Sequence, residues 1–152
     1  MPWPQLIVPL VAVGVLASGC AERKPSVQAL ERSIVATRDH VDFALARISR
    51  AQSKDEFLER MDEAANAIDA AARELEGVGT PKGYESEVDS LVDSLRQLAF
   101  DVQATADQIR EPGFGDLLTG ARGVSFESWD KVNLALACLR AKGIDIAPLE
   151  RH

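Results

Sequence analysis

The chain has 152 residues, with 17 Lys+Arg against 24 Asp+Glu and a net charge of −7 at neutral pH. That length sets one domain rather than two. The acidic balance is repelled by phosphate backbones and anionic headgroups, which excludes nucleic acid as a partner and a basic patch as a means of holding a membrane.

Every charged residue falls after position 20. Before it, residues 6–16 read LIVPLVAVGVL, too short for a bilayer-spanning helix of about 20 apolar residues but the length of a signal-peptide apolar region. Pro2, Pro4 and Pro9 argue against a buried core helix, because each removes a donor and clashes with the preceding turn. The run ends in Leu16-Ala17-Ser18-Gly19-Cys20, small residues that a signal peptidase accommodates, followed by a cysteine. Here the chain resembles a bacterial lipoprotein precursor, with Ala17-Ser18-Gly19-Cys20 in the place of the lipobox. Ala17 stands where Leu is usual, and residues 1–5 carry no Lys or Arg. The resemblance implies a signal peptide over residues 1–19, cleavage before Cys20, and fatty acylation of its sulfur with chains such as palmitate. One acyl chain holds a membrane only weakly, at about 0.8 kcal/mol per buried methylene, so the class uses two or three. Residues 20–25 would then be the lipidated cysteine and a short tether. The five residues Ala21-Glu22-Arg23-Lys24-Pro25 reach about 17 Å when extended. The domain over residues 26–152 is therefore expected close to the membrane, on its extracytoplasmic side.

Ser26 is a candidate N-cap. Val27, Leu30, Ile34, Thr37, Val41, Ala44 and Ile48 then recur three and four apart, the stripe of a bundle helix ending near residue 51. Val35 and Leu45 widen it. Ser53-Lys54-Asp55-Glu56 has the form of a capping box. The second helix carries Phe57, Met61, Ala64, Ile68, Ala71 and Leu75 on one face, and its further alanines permit close helix approach. Gly77-Val78 suits a Schellman ending, and Thr80-Pro81 suits an N-cap and first helical residue. The third helix comes next, with Tyr84, Val88, Leu91, Leu95, Leu98, Val102, Thr105 and Ile109 on its stripe, until Pro112-Gly113 stops it. Three glycines, Gly115, Gly120 and Gly123, weaken the next stretch by about 1 kcal/mol each in a helix interior. An antiparallel partner matching the third helix in length would span about residues 115–142, kinked near 120–124, with Phe126, Trp129, Val132, Leu136 and Leu139 inward and Gly143 as its cap. Ile144 and Ile146 are expected to fold back on the bundle end. The short loops make neighbours antiparallel, so the expected fold is all-α, an up-down-up-down four-helix bundle after an N-terminal lipoprotein signal peptide. The whole arrangement is similar to small bacterial lipoproteins of unknown function, in which a lipobox leads into one acidic, Ala/Leu-rich four-helix bundle. The helices also resemble four-helix cytochromes in length, but no Cys-x-x-Cys-His is present, and no cofactor is expected.

Few residues point to chemistry. His40 has Thr37 three positions earlier rather than Glu, so the Glu-x-x-His pair of a di-iron bundle is lacking; His152, the last residue, is expected to be disordered, and no metal site is expected. Glu56, Glu59, Asp62 and Glu63 read as dipole compensation at a helix start, with Glu56–Arg60, Asp69–Arg73 and Glu127–Lys131 as surface pairs. With Cys20 acylated, Cys138 is unpaired, and it reads as a small buried residue of the last helix; with Cys20 free, the two could form a disulfide. A Cys138–His40 pair would need a cleft between first and last helices. Phe43 and Phe100 lie off their stripes; they are expected half-buried beside the seams and, if exposed, become candidate partner contacts. The function expected is a non-catalytic, membrane-anchored binding or scaffold module of the cell envelope, with an unknown envelope partner. The alternatives are a carrier of a small apolar ligand in a cavity lined by Tyr84 and Trp129, and a thiol enzyme using Cys138.

Overall fold

The computed structural model describes residues 24–112 and 126–152. Residues 1–23, which include the expected signal peptide and Cys20, and residues 113–125 lie outside the described residues. The fold is all-helical: α1 (Val27–Ser49), α2 (Lys54–Glu76), α3 (Glu85–Arg110) and α4 (Glu127–Ala141), with no strand among the described residues. No described helix is long and apolar enough to cross a membrane.

The helix starts obey local chemistry. Ser26 Oγ accepts the Ala29 N–H at 3.1 Å to cap α1, and Ser53 Oγ accepts the Glu56 N–H at 3.1 Å to cap α2. Glu56 completes the second cap one residue further back than a standard capping box: its carboxylate accepts the Gln52 N–H at 2.8 Å. The third helix does not begin at Pro81. Tyr84 N–H donates to the Pro81 carbonyl at 3.2 Å, and Gly83 sits at φ +94°, so residues 81–83 form a turn that a helix cannot include. Tyr84 is the N-cap and offers no side-chain cap.

The helix ends also differ from expectation in one place. Gly77 stays right-handed at φ −74°, its N–H donating to the Arg73 carbonyl, while Val78 N–H donates to Leu75. That is a tightened last turn, not a Schellman motif. The Schellman motif is at the end of α4. Gly143 has φ +94°, Ile144 N–H donates to the Leu139 carbonyl at 3.2 Å, and Gly143 N–H donates to Arg140 at 3.0 Å. Ile144 and Leu139 are both buried beside it. The fourth helix therefore ends where the glycine signal put it; it begins at Glu127, and the stretch over 115–125 falls outside the described residues.

Helices pack in chain order, α1 on α2, α2 on α3 and α3 on α4. Each pair is antiparallel. Arg60, near the start of α2, donates to the carbonyl of Arg47 near the end of α1; Asp62 of α2 pairs with Arg110 at the end of α3, and Glu76 at the end of α2 with Arg96 earlier in α3. Lys142, after α4, reaches Glu87 in the first turn of α3. The core takes Leu30, Ile34, Met61, Ile68, Leu91, Leu95, Leu98, Ile109, Leu136 and Leu139, all nearly inaccessible. The apolar stripes hold with two adjustments: Val27 is 40% exposed at the helix start, and Ala106 rather than Thr105 is buried.

The expected direct packing of first helix on last is absent: among the described residues the backbones of α1 and α4 do not come close, although side chains of both line one small space. Residues 144–152 run between them, along the side of the array rather than over its end. Ile144, Ile146 and Leu149 of this strap join the core, at 1%, 4% and 3% exposed.

The two glycines separate the two endings experimentally. Gly143→Ala forces a β-carbon into left-handed backbone and is expected to destabilise the domain by about 1–2 kcal/mol in urea unfolding. At Gly77 the nearest atom to an added β-carbon is the Glu74 carbonyl oxygen at 3.4 Å, an ordinary contact, so Gly77→Ala is expected to be neutral or to stabilise by about 0.4–1 kcal/mol.

Candidate functional site

The extended segment 144–152 has no neighbouring strand; it buries Ile144, Ile146 and Leu149 and leaves its other residues exposed, and a backbone group that is buried unpaired costs about 1–3 kcal/mol. Side chains of α1 and α4 supply partners along the strap. From α1, the Glu31 carboxylate accepts the Asp145 N–H at 3.1 Å, Arg38 donates twice to the Pro148 carbonyl at 2.8 and 3.1 Å, and Asp42 Oδ1 accepts the Glu150 N–H at 2.8 Å. From α4, Asn133 Oδ1 accepts the Leu149 N–H at 2.7 Å and Arg140 donates to the Ile146 carbonyl at 2.9 Å. The order of these contacts makes the strap parallel to α1 and antiparallel to α4. Pro148 favours the extended backbone and has no N–H to satisfy. Leu149 enters between α1, α3 and α4, and only about 10 Å³ of free space is left beneath it, bounded by Ile34, Val41, Leu95, Val132 and Leu136 among others. Burying three aliphatic side chains stabilises the closed form by about 1.5–3 kcal/mol each.

The strap's end makes a second cluster. His152, expected to be disordered, places Nε2 3.4 Å from Asp42 Oδ1. Asp42, Glu150 and His152 bring one ligand atom each within 4.8 Å of one another. Asp42 also faces Arg38 at 3.8 Å, so its charge already has a counter-ion in the fold.

Tyr84 and Trp129 lie near opposite ends of α4. Tyr84 lies at the start of α3, where its hydroxyl donates to the Lys142 carbonyl at 3.1 Å and its ring stands 5.8 Å from the Lys142 ammonium. The same ammonium lies 2.6 Å from Glu87 Oε2 and donates to the Gly83 carbonyl at 2.6 Å. Together they fasten the end of α4 to the start of α3. The Lys142 ammonium holds the Glu87 carboxyl below the usual carboxylate range. Glu85 is held low as well, by its own backbone N–H first and then by that of Gly83. Trp129 is at the start of α4, partly buried, with the Arg151 guanidinium of the strap over its ring at 4.8 Å.

Among the described residues, besides Val27 at its helix start, Phe43 at 64%, Phe100 at 66% and Leu134 at 67% exposed face outward. Phe43 and Phe100 are thus not half-buried. Leu134 was not legible as an outlier, because it lies two residues from the inward Leu136 in a sequence rich in leucine and alanine. Cys138 is exposed, not buried, on the same outward face of α4 as Leu134, one turn on. His40 is exposed on α1, and with the strap lying between α1 and α4 the two residues have no common cleft. Of the surface pairs, Glu56–Arg60 and Asp69–Arg73 form, the latter at 2.8 Å, whereas Glu127 and Lys131 do not meet. No family model, curated protein or solved structure matches the chain.

Two measurements probe this arrangement. Leu149→Ala is expected to destabilise the domain by about 2–5 kcal/mol, as for a buried leucine left as a cavity, read by urea unfolding. The Glu87 carboxyl, depressed from its ordinary 4.5, contributes stability that is complete above that value and is lost as pH falls through the lower folded value. Glu87→Gln is therefore expected to lower the melting temperature at neutral pH and to flatten its decline under acid; an unchanged acid profile would contradict the clamp.

Proposed function

We propose that the chain is a membrane-anchored lipoprotein of the cell envelope. Its helical domain, an up-down-up-down four-helix bundle closed by the C-terminal strap, binds another envelope component and carries out no catalysis. The observation that carries the reading is the sequence at residues 16–20, where small residues end an apolar run and lead directly into a cysteine. Acyl chains on Cys20 would hold at a bilayer an acidic domain in which no described helix is long and apolar enough to cross one. The close approach of the Pro25 ring to Gly79, at 3.0 Å from where a β-carbon would stand, supports an orientation. The tether would leave the domain at the end formed by the α2–α3 loop, Tyr84 and Lys142, and that end would face the membrane.

Binding at the outer surface is favoured over ligand carriage by the outward exposure of Phe43 and Phe100. An apolar carrier needs a cavity of about 300–1,000 Å³, against about 10 Å³ beneath Leu149. Phe43 and Phe100 are the proposed partner contacts, since exposed aromatic side chains of this size are the usual anchors of an interface.

Cys20→Ser is expected to move the protein out of the membrane fraction, and mass spectrometry of the parent's N-terminus is expected to find an acylated Cys20 as its first residue. A free thiol at Cys20, or an intact Met1, contradicts the anchor. For the partner, a photocrosslinking residue at position 43 or 100 is expected to give a discrete adduct in intact cells, and one at the exposed position 74 of α2 is not.

A further inference from the structure

The groove between α1 and α4 reads an extended backbone, and it does so with side chains. Glu31, Asp42 and Asn133 accept strap N–H groups; Arg38 and Arg140 donate to strap carbonyls. None of these contacts requires that strap and groove belong to the same chain. The connection between them is short: Ala141 ends α4, and Lys142-Gly143 lead into the buried Ile144. Gly143 holds the turn at φ +94° and, lacking a β-carbon, opens to an extended form without a steric barrier.

We infer that this groove is also a self-association site, taken by residues 144–152 of a second copy in reciprocal exchange. Simple release of the strap would expose three aliphatic side chains and an apolar groove. Exchange restores every strap contact in both copies and changes the backbone only around Lys142, Gly143 and Ile144, which is what makes swapping a low-cost route to a symmetric dimer. Geometry favours neighbours on one membrane. Pro25 and Gly143 lie at the same end of the domain, as the contacts of Gly79 with Pro25 and of Tyr84 with Lys142 show. Two copies tethered side by side would have their hinges level, and each strap would rise into the neighbour's groove in the direction it takes in its own. The inference deepens the binding-module reading by naming a second copy as one partner, and it rests on that reading.

The test uses full-length chains in detergent with Cys20→Ser and Cys138→Ser, so that no native thiol takes part and the outcome is independent of lipidation. One population carries Glu31→Cys and the other Asp145→Cys, the pair in which the Glu31 carboxylate meets the Asp145 backbone N–H at 3.1 Å within the chain. The two are mixed, refolded together from urea at high protein concentration, and oxidised. The expected result is a disulfide between the two kinds of chain at least tenfold above either like-with-like product, falling to that background when the Asp145→Cys chain also carries Leu149→Asp. A mixed product no more abundant than the like-with-like ones overturns the inference. So does a chain carrying both cysteines that closes only on itself at every concentration, or that fails to close at all. Either failure leaves the Cys20 anchor to be judged by its own fractionation experiment.

Discussion

The architecture depends on satisfying the backbone of an extended segment that has no strand beside it. Residues 144–152 lie between two helices whose backbones do not pack on each other, and Glu31, Asn133 and Asp42 accept three of their N–H groups while Arg38 and Arg140 donate to two of their carbonyls. Most helical arrays close by packing the first helix on the last. Here the closing stave is a chain segment held by side chains on both flanks, with Ile144, Ile146 and Leu149 completing the core. Polar groups that would otherwise be ordinary surface charges on α1 and α4 thereby have a structural task.

That closure shapes what the domain can do. Leu149 enters between α1, α3 and α4 and leaves about 10 Å³ beneath it. Two attachments hold the strap's ends. At one end, Lys142 ties to Tyr84, Glu87 and Gly83; at the other, Arg151 covers Trp129 and His152 meets Asp42. The aromatic residues that suggested a cavity are instead fastenings at opposite ends of the domain. The outward Phe43, Phe100 and Leu134 are left as apolar surface with no partner among the described residues.

Helices were legible wherever one apolar face repeated at three and four: the cores of α1, α2 and α3 and the inward side of α4 arise from residues such as Ile34, Ile68, Leu95 and Leu136. Capping by Ser26 and Ser53 was equally readable, because a hydroxyl three residues before a free N–H is a local matter. Glycine signals were less so. Gly77 and Gly143 look alike in sequence, and the difference lies in the burial of the next residue: Ile144 is drawn into the core, while Val78 is only partly buried. Pro81 resembles a helix start, yet Gly83 takes a left-handed turn and delays it to Glu85. The strap was legible only in that Ile144 and Ile146 were expected to fold back; its course between α1 and α4 was not. Nine residues with three aliphatics carry neither helical nor strict alternating periodicity, and the partners that stabilise them lie about a hundred positions away in α1. Residues such as Asp42 and Arg38 therefore read as solvated charges until the fold places Pro148 and Glu150 against them.

Hydrogen exchange at the amides of Asp145, Leu149 and Glu150 tests the central claim most directly. These amides have no backbone partner and no helix of their own, so any protection must come from Glu31, Asn133 and Asp42. The account predicts exchange slower by at least tenfold than in a free peptide of residues 143–152, with Leu149 the slowest of the three. Exchange at the free-peptide rate, with the helices still protected, would contradict it.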